Sequence, residues 1–416
     1  MDRDLLYRVK EVFFREQPIQ DAIDILNENI DKIDFDDEDD VKEINELVRS
    51  SLTFNEKNDD GIELVKFLIS KGYDINFKFS KKECLILNLA ESTIRPALFQ
   101  QLIDLGADVY SETTIGGNVL TRSAEKVVDT WGMRDKDINE RLPIYIAENF
   151  DLSQLDHPSE TGITPLMYAI MKNKMNLAKK LISLGSDVNM TGGQAQGGYS
   201  YWMNIYGVSP LAIACREGNL EAAKLLIEAG ADDTLCDADG TPTMFALLYN
   251  TFRYNEMVVP MQIEIGKRKG EIVKLLKDPN FTDSQGNTLL MKSMWRYGYS
   301  KDKQISPFNN EEIMRALLER GVNVNVSNNL GKTALHYSAE YFDCMVKELI
   351  VAGADINAQD NQGNTALIIT CKNRSEKIAK LLLRKGADFN IKNADGKSAM
   401  DIVAENGLTD VLELMI

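Results

Sequence analysis

Residues 363–396 read GNTALIITCKNRSEKIAKLLLRKGADFNIKNADG. Thr365 offers a hydroxyl that can cap a helix N-terminus, and Leu367 begins a buried face. Leu382-Leu383 closes a second apolar run, and Gly386 follows where a helix ends and a positive φ is wanted. Ala387-Asp388-Phe389-Asn390 leads out of it. The approach, Asp360-Asn361-Gln362-Gly363, has the Asp, Asn and Gly chemistry of a tight turn. The stretch therefore predicts two antiparallel helices followed by a projecting hairpin-like loop, a finger.

The turn glycine recurs at Gly116, Gly162, Gly207, Gly240, Gly286, Gly331, Gly363 and Gly396. The intervals Gly207–Gly240, Gly331–Gly363 and Gly363–Gly396 are 33, 32 and 33 residues. Self-similarity at that period means stacked repeats, each burying its apolar face on its neighbours. Thr164-Pro165-Leu166, Ser209-Pro210-Leu211 and Thr333-Ala334-Leu335-His336 repeat the helix start. Proline fits there because the first helical N–H has no intrahelical partner. Leu181-Ile182 before Gly185 and Leu349-Ile350 before Gly353 repeat the helix end, and Ala354-Asp355-Ile356-Asn357 repeats the exit.

These motifs resemble the ankyrin repeat, in the Thr-Pro-Leu-His-type start, the Gly-Ala-Asp-x-Asn exit and the 33-residue period. The likeness is strongest over 162–240 and 321–416. It is fainter over 61–120, where Gly72-Tyr73-Asp74-Ile75-Asn76 and Gly106-Ala107-Asp108-Val109 recur. The resemblance implies an all-α solenoid of helix–turn–helix units with projecting hairpin loops, in nine or ten repeats. Residues 1–60 keep helical periodicity without glycine turns and are expected to be a degenerate, acidic capping region before an array over 61–416. His336 stands where the family has its histidine, so a hydrogen bond across the turn is expected of it.

Net charge is −17, and residues 1–60 hold 19 acids against 8 bases. Seven acids fall between Asp31 and Asp40. Such a field repels nucleic acid and anionic membrane and favours a basic partner, although a solvated loop that keeps the end of the array soluble is the simpler explanation. No apolar run reaches 18 residues, and the start Met1-Asp2-Arg3-Asp4 is charged, so a cytoplasmic protein is expected. Cys84, Cys215, Cys236, Cys344 and Cys371 lack Cys-x-x-Cys spacing and read as reduced thiols.

Four glycine intervals are 45 or 46 residues, so each holds an insertion of about 12–13 residues beyond the period. These lie near 125–138, 190–206, 249–270 and 295–310. Leu166 to Gly185 keeps the regular spacing of 19, which places the second insertion in a finger. The others fall between the two helices of a unit. The finger insertion carries Tyr199, Tyr201, Trp202 and Tyr206 among glycines, large rigid side chains of the kind that form binding hot spots. The bland alternative is that they fold back over a neighbouring repeat. Trp295-Arg296-Tyr297-Gly298-Tyr299 is a weaker candidate of the same kind. Gly266-Lys267-Arg268-Lys269-Gly270 lacks the spacing of a phosphate loop and reads as a solvated lead-in to a helix.

Two histidines, and no catalytic motif around any Ser or Cys, argue against an enzyme. The Asp31–Asp40 run lacks the glycine and spacing of a calcium loop, and no cofactor or metal site is expected. The reading is a monomeric, non-catalytic protein-binding array. Its contact residues are expected to be Tyr199, Tyr201, Trp202 and Tyr206, with Asp237, Asp239, Phe245, Asn328, Asn329 and Tyr337 on neighbouring fingers and first helices. Two alternatives stay open at this stage: a host-directed effector of an intracellular microbe, secreted by a nonclassical route, and an immunity or inhibitor protein blocking a basic toxin or enzyme.

Overall fold

A computed structural model describes residues 3–15, 17–54, 60–78, 84–92, 95–112, 117–125, 138–151, 155–159, 161–192, 208–236, 240–248, 259–294, 307–341 and 345–416. Among the described residues every regular element is a helix, and strand pairing is limited to four isolated antiparallel bridges: Glu112 with Asn118, Cys236 with Pro242, Thr282 with Thr288 and Lys392 with Ser398. Each bridge closes the base of a finger.

The helices pair in chain order and fall into two compact bodies, divided near Val188. The first body holds α1 (Arg3–Phe14) and α2 (Ile19–Glu28), α3 (Glu38–Phe54) and α4 (Gly61–Ser70), α5 (Leu85–Ser92) and α6 (Pro96–Asp104), α7 (Val119–Glu125) and α8 (Arg141–Asn149), and α9 (Pro165–Met171) and α10 (Met175–Ser183). Its odd-numbered helices pack in one row and its even-numbered helices in a second. The second body holds α11 (Pro210–Glu217) and α12 (Leu220–Glu228), a 3-10 helix (Thr243–Leu248) and α13 (Val259–Val273), α14 (Leu289–Ser293) and α15 (Pro307–Glu319), α16 (Ala334–Tyr341) and α17 (Val346–Val351), α18 (Ala366–Lys372) and α19 (Glu376–Arg384), and α20 (Ala399–Asn406) and α21 (Thr409–Leu412).

That makes eleven helix pairs among the described residues, above the nine or ten expected. The difference lies at the front of the chain. The α1/α2 pair already packs like a repeat, α1 on α3 and α2 on α4, without the glycine turns by which repeats are recognised in sequence. The boundary expected at residue 60 falls between α3 and α4, inside one pair. The acidic run is more than solvated loop: Asp37 Oδ1 accepts the N–H of Asp40, and Asp40 Oδ2 that of Asp34. Glu38, Asp39 and Asp40 occupy the first turn of α3, where the helix dipole favours negative charge.

The predicted helix starts are in place. The hydroxyls of Thr164, Ser209 and Thr365 each accept the N–H three residues on, Pro165 and Pro210 sit in the first turn, and Thr288 and Ser398 cap two further helices in the same way. The leucines that follow, Leu166, Leu211 and Leu367, are fully buried. His336 is buried with neutral-ring geometry: Nδ1 accepts the N–H of Thr333 at 3.1 Å, which leaves Nε2 to donate to the Asn364 carbonyl of the next finger at 3.0 Å. Burial lowers its pKa below the usual histidine value, which keeps the ring neutral.

Two insertions differ from expectation. Residues 259–273 and 307–319 lengthen α13 and α15, which pack together extensively. The described part of these two insertions, 259–270 and 307–310, is thus helix, while residues 126–137, 249–258 and 295–306, with the Trp295–Tyr299 cluster, lie outside the described residues. Gly270 permits the close approach, since a Cβ there would lie 3.1 Å from the Glu312 carbonyl oxygen. Lys269, expected in a solvated lead-in, is fully buried inside α13.

Gly331 is the tightest turn. Its φ is +72°, and a Cβ would stand 2.5 Å from Asn361 Oδ1 and 2.7 Å from Asn361 N. Gly396 has φ +73° with nothing within 4 Å. Gly331→Ala should therefore destabilise by about 1–3 kcal/mol and spread two fingers. Gly396→Ala should lose only the conformational part, about 1–2 kcal/mol. Urea midpoints of the two variants test this; equal losses would contradict the finger contact.

Candidate interaction surface

Seven finger exits carry an Asx turn. The side-chain oxygens of Asp74, Asp108, Asp232, Asp278, Asn323, Asp355 and Asp388 accept the N–H two residues on. The following Asn ties one finger to the next. Asn325 Nδ2 donates to the Gly353 carbonyl at 2.9 Å, and its Oδ1 accepts the Asp355 N–H at 2.8 Å. Asn76 makes the same pair of bonds to Gly106 and Asp108, and Asn189 to Gly230 and Asp232. At Asp233 the motif's aliphatic position has become a carboxylate. It accepts the Lys277 N–H and so takes over a rung where the repeat of the 3-10 helix and α13 has no exit glycine.

In the second body the finger tips are joined by backbone as well. The N–H groups of Asn329, Asn361 and Ala394 donate to the carbonyls of Gln285, Leu330 and Gln362 at 2.9–3.0 Å. Ser284, Gln285, Asn329, Leu330, Asn361, Gln362, Ala394 and Asp395 are exposed along this edge. Leu330 is 61% exposed, an apolar side chain held at a fixed tip. Sequence reading missed it because turn positions are judged by their glycine and Asx neighbours.

Behind the tips, charges from the finger base meet the first helices. Lys332 Nζ pairs with Glu340 at 2.9 Å, Lys397 Nζ with Glu405 at 2.7 Å and Lys292 Nζ with Asp283 at 3.2 Å. Lys372 Nζ donates to Asn364 Oδ1 at 2.8 Å. Opposite charges eight or nine residues apart are thus locally paired on this face, so it does not carry the acidic surplus of residues 1–60.

The expected contact residues sort as follows. Tyr199, Tyr201, Trp202, Tyr206, Asp237 and Asp239 lie outside the described residues. Asn329 is exposed at a tip. Phe245, Asn328 and Tyr337 are buried, at 2%, 7% and 6% exposure. Phe245 packs inside the 3-10 helix. Asn328 Oδ1 accepts the N–H groups of Leu330 and Lys332, and its Nδ2 donates to Asn287 Oδ1 and to the Tyr337 hydroxyl. Asn328 and Tyr337 thus build the finger, and Phe245 belongs to the core, rather than facing outward. Among the described residues no cluster of His, Cys, Asp and Glu could hold a metal ion, and no helix is long and apolar enough to cross a membrane.

Three copies of the ankyrin-repeat family model match residues 135–237, 263–360 and 341–416. The chain belongs to the ankyrin repeat family. An ankyrin repeat protein of fowlpox virus (strain NVSL) is 27% identical over 183 residues, which cover 44% of this chain and 48% of the viral protein. One from Acanthamoeba polyphaga mimivirus is 27% identical, covering 42% of this chain and 29% of its own length. The matched stretch therefore spans less than half of either relative. Among solved structures, the ankyrin repeat domain of Bcl-3, a member of the IkappaB protein family, is 20% identical with a TM-score of 0.47, over 61% of this chain and 99% of that domain.

Proposed function

We propose that this ankyrin array is a non-catalytic binding protein whose protein partner docks along the finger tips and the exposed side of the first helices. The observation that carries the reading is the hydrogen-bonded row of tips from Gln285 to Asp395. A row fixed by backbone bonds loses little entropy on binding, the usual advantage of a preorganised surface. Leu330 and the aromatic insertion at 192–206 are its anchors. The acidic surplus of residues 1–60 favours a second, narrower reading, an inhibitor of a basic partner, for which affinity should fall steeply with added salt. The cytoplasm is the proposed compartment; the buried thiols Cys84, Cys215 and Cys371 suit a reducing environment.

Affinity capture with the full chain, followed by titration of the purified partner, tests the anchors. Trp202→Ala should raise Kd about 30-fold, equivalent to ~2 kcal/mol, with little change in Tm. If Tm falls instead and the affinity of the folded protein is unchanged, the aromatics cover the solenoid and the contact reading fails.

A further inference from the structure

The first helix pair leaves apolar surface in solvent. α1 packs on α2 and α3, and Leu5, Val9 and Val12 are the residues it buries. Its opposite face carries Tyr7 and Phe14, 67% and 74% exposed. They stand seven positions apart, so two turns of helix set them in one stripe. Leu6 and Phe13, also seven apart, lie beside them half-buried. The outermost repeat of a stack is ordinarily polar on its outer side. α1 is the outermost helix among the described residues and departs from that rule. A solvated aromatic stripe of this kind marks a surface that another molecule covers.

The packing of the first body indicates the shape of the cover. Its odd-numbered helices form a row, α1 on α3, α3 on α5, α5 on α7 and α7 on α9. Among the described residues α3, α5 and α7 thus each have a helix of the row on both sides, and α1 has one on a single side. The face bearing Tyr7 and Phe14 is the one that a further helix of the row would occupy.

The charge indicates the chemistry of that helix. α1 itself is mixed: Arg8 and Lys10 stand with Asp4 and Glu11, and Glu11 pairs with Arg15. Its neighbour α2 has no base, and Asp21, Asp24 and Glu28 form an exposed stripe on the side opposite the buried Ala22 and Leu26. Six exposed acids follow between Asp31 and Asp39. The one base among them, Lys32, donates to Asn29 Oδ1 and not to a carboxylate. An apolar stripe within so negative a field suits a helix with Lys or Arg along its margins. A second copy of this chain would bring the same negative field, and like charges repel.

We propose that the outer face of α1 is a docking site for a basic amphipathic helix of the protein partner. The helix seats its apolar side on Tyr7 and Phe14 and turns its cations toward α2 and the Asp31–Asp39 turn. The site rests on the basic-partner reading and uses none of the finger-tip residues. An amphipathic helix laid on an apolar face, anchored at positions one and two turns apart, is a recurring mode of recognition. The acids steer the encounter, and the aromatics hold the bound helix.

The test titrates the full-length protein with a fluorescent Leu–Lys amphipathic peptide of about 18 residues, long enough to form a helix on binding. The peptide should bind, protect α1 from hydrogen exchange, and lose affinity as salt rises from about 50 to about 300 mM. Tyr7→Ser combined with Phe14→Ser, both at exposed positions, should raise Kd about tenfold or more and remove the α1 protection with Tm unchanged. Asp21→Asn, Asp24→Asn and Glu28→Gln together should flatten the salt dependence, and the peptide with Glu in place of Lys should not bind. Salt-sensitive binding that survives the loss of Tyr7 and Phe14 overturns the α1 site while the basic-partner reading stands. No binding at about 50 mM salt overturns both. A wild-type dimer in sedimentation that the double variant dissociates gives the face to a second copy and overturns the proposal.

Discussion

Leu367→Ala should lower stability by about 2–5 kcal/mol, a large part of what a typical domain possesses. Leu367 is fully buried at the start of α18, which packs between α16 and α20. Removing it leaves a cavity between close-packed helices that relax only partly. In a stacked array each repeat is coupled chiefly to its neighbours, so the loss should be local. Hydrogen exchange should quicken first in α16 to α21 and leave the first body near its wild-type rates. Uniform quickening over residues 60–250 would mean that the array unfolds as one block.

Glu140→Ala should cost about 1–3 kcal/mol, because it leaves the buried Leu177 N–H without its acceptor. Glu140 is buried just ahead of α8, and its Oε2 accepts the Leu177 N–H of α10 at 2.6 Å. The residue at the N-cap of α10, Lys174, gives no side-chain cap of its own. Instead Lys174 sends its amino group back to the carbonyls of Ser123 and Ala124 at the end of α7. Burial takes the Lys174 ammonium down to about 8, and the Glu140 carboxylate is what holds it that high. With the carboxylate gone the folded value drops further below the free-lysine value, so protons destabilise the variant over a wider range. The loss relative to wild type should be greater at pH 6 than at pH 9, and Lys174→Met added to Glu140→Ala should restore part of it. Urea unfolding at both pH values reads this; a loss of less than ~1 kcal/mol at pH 6 would show that the carboxylate does not hold the start of α10 through the Leu177 N–H.

Both residues were invisible as a pair in the sequence, and the reason is general. Glu140 and Lys174 are 34 positions apart in an insertion-bearing repeat, where the period no longer predicts which residues meet. Lys269 shows the same limit. In sequence it is one basic residue of a Lys-Arg-Lys run, and only the packing of α13 against α11 and α15 separates it from its exposed neighbours Lys267 and Arg268. Asn328 and Tyr337 were misjudged for a related reason. A polar side chain next to a finger turn can face a partner or bond the adjacent finger, and local sequence does not distinguish the two.

What the sequence determined alone was everything set within one repeat. Thr365 capping α18, Pro165 and Pro210 in first turns and Leu367 in the core follow from residue chemistry at a fixed spacing, and His336 across its turn from the likeness to the family's repeat. Backbone sterics and hydrogen-bond capping act over three or four residues, so a motif of that length is enough to specify them. Tertiary structure alone decided what happens between repeats: the Asn325 rung to Gly353 and Asp355, the clash that reserves position 331 for glycine, and the burial of Lys269. Those depend on the distance between neighbouring units and on which face each helix turns inward. Both are fixed by the summed packing of the stack, and no short stretch of chain contains them.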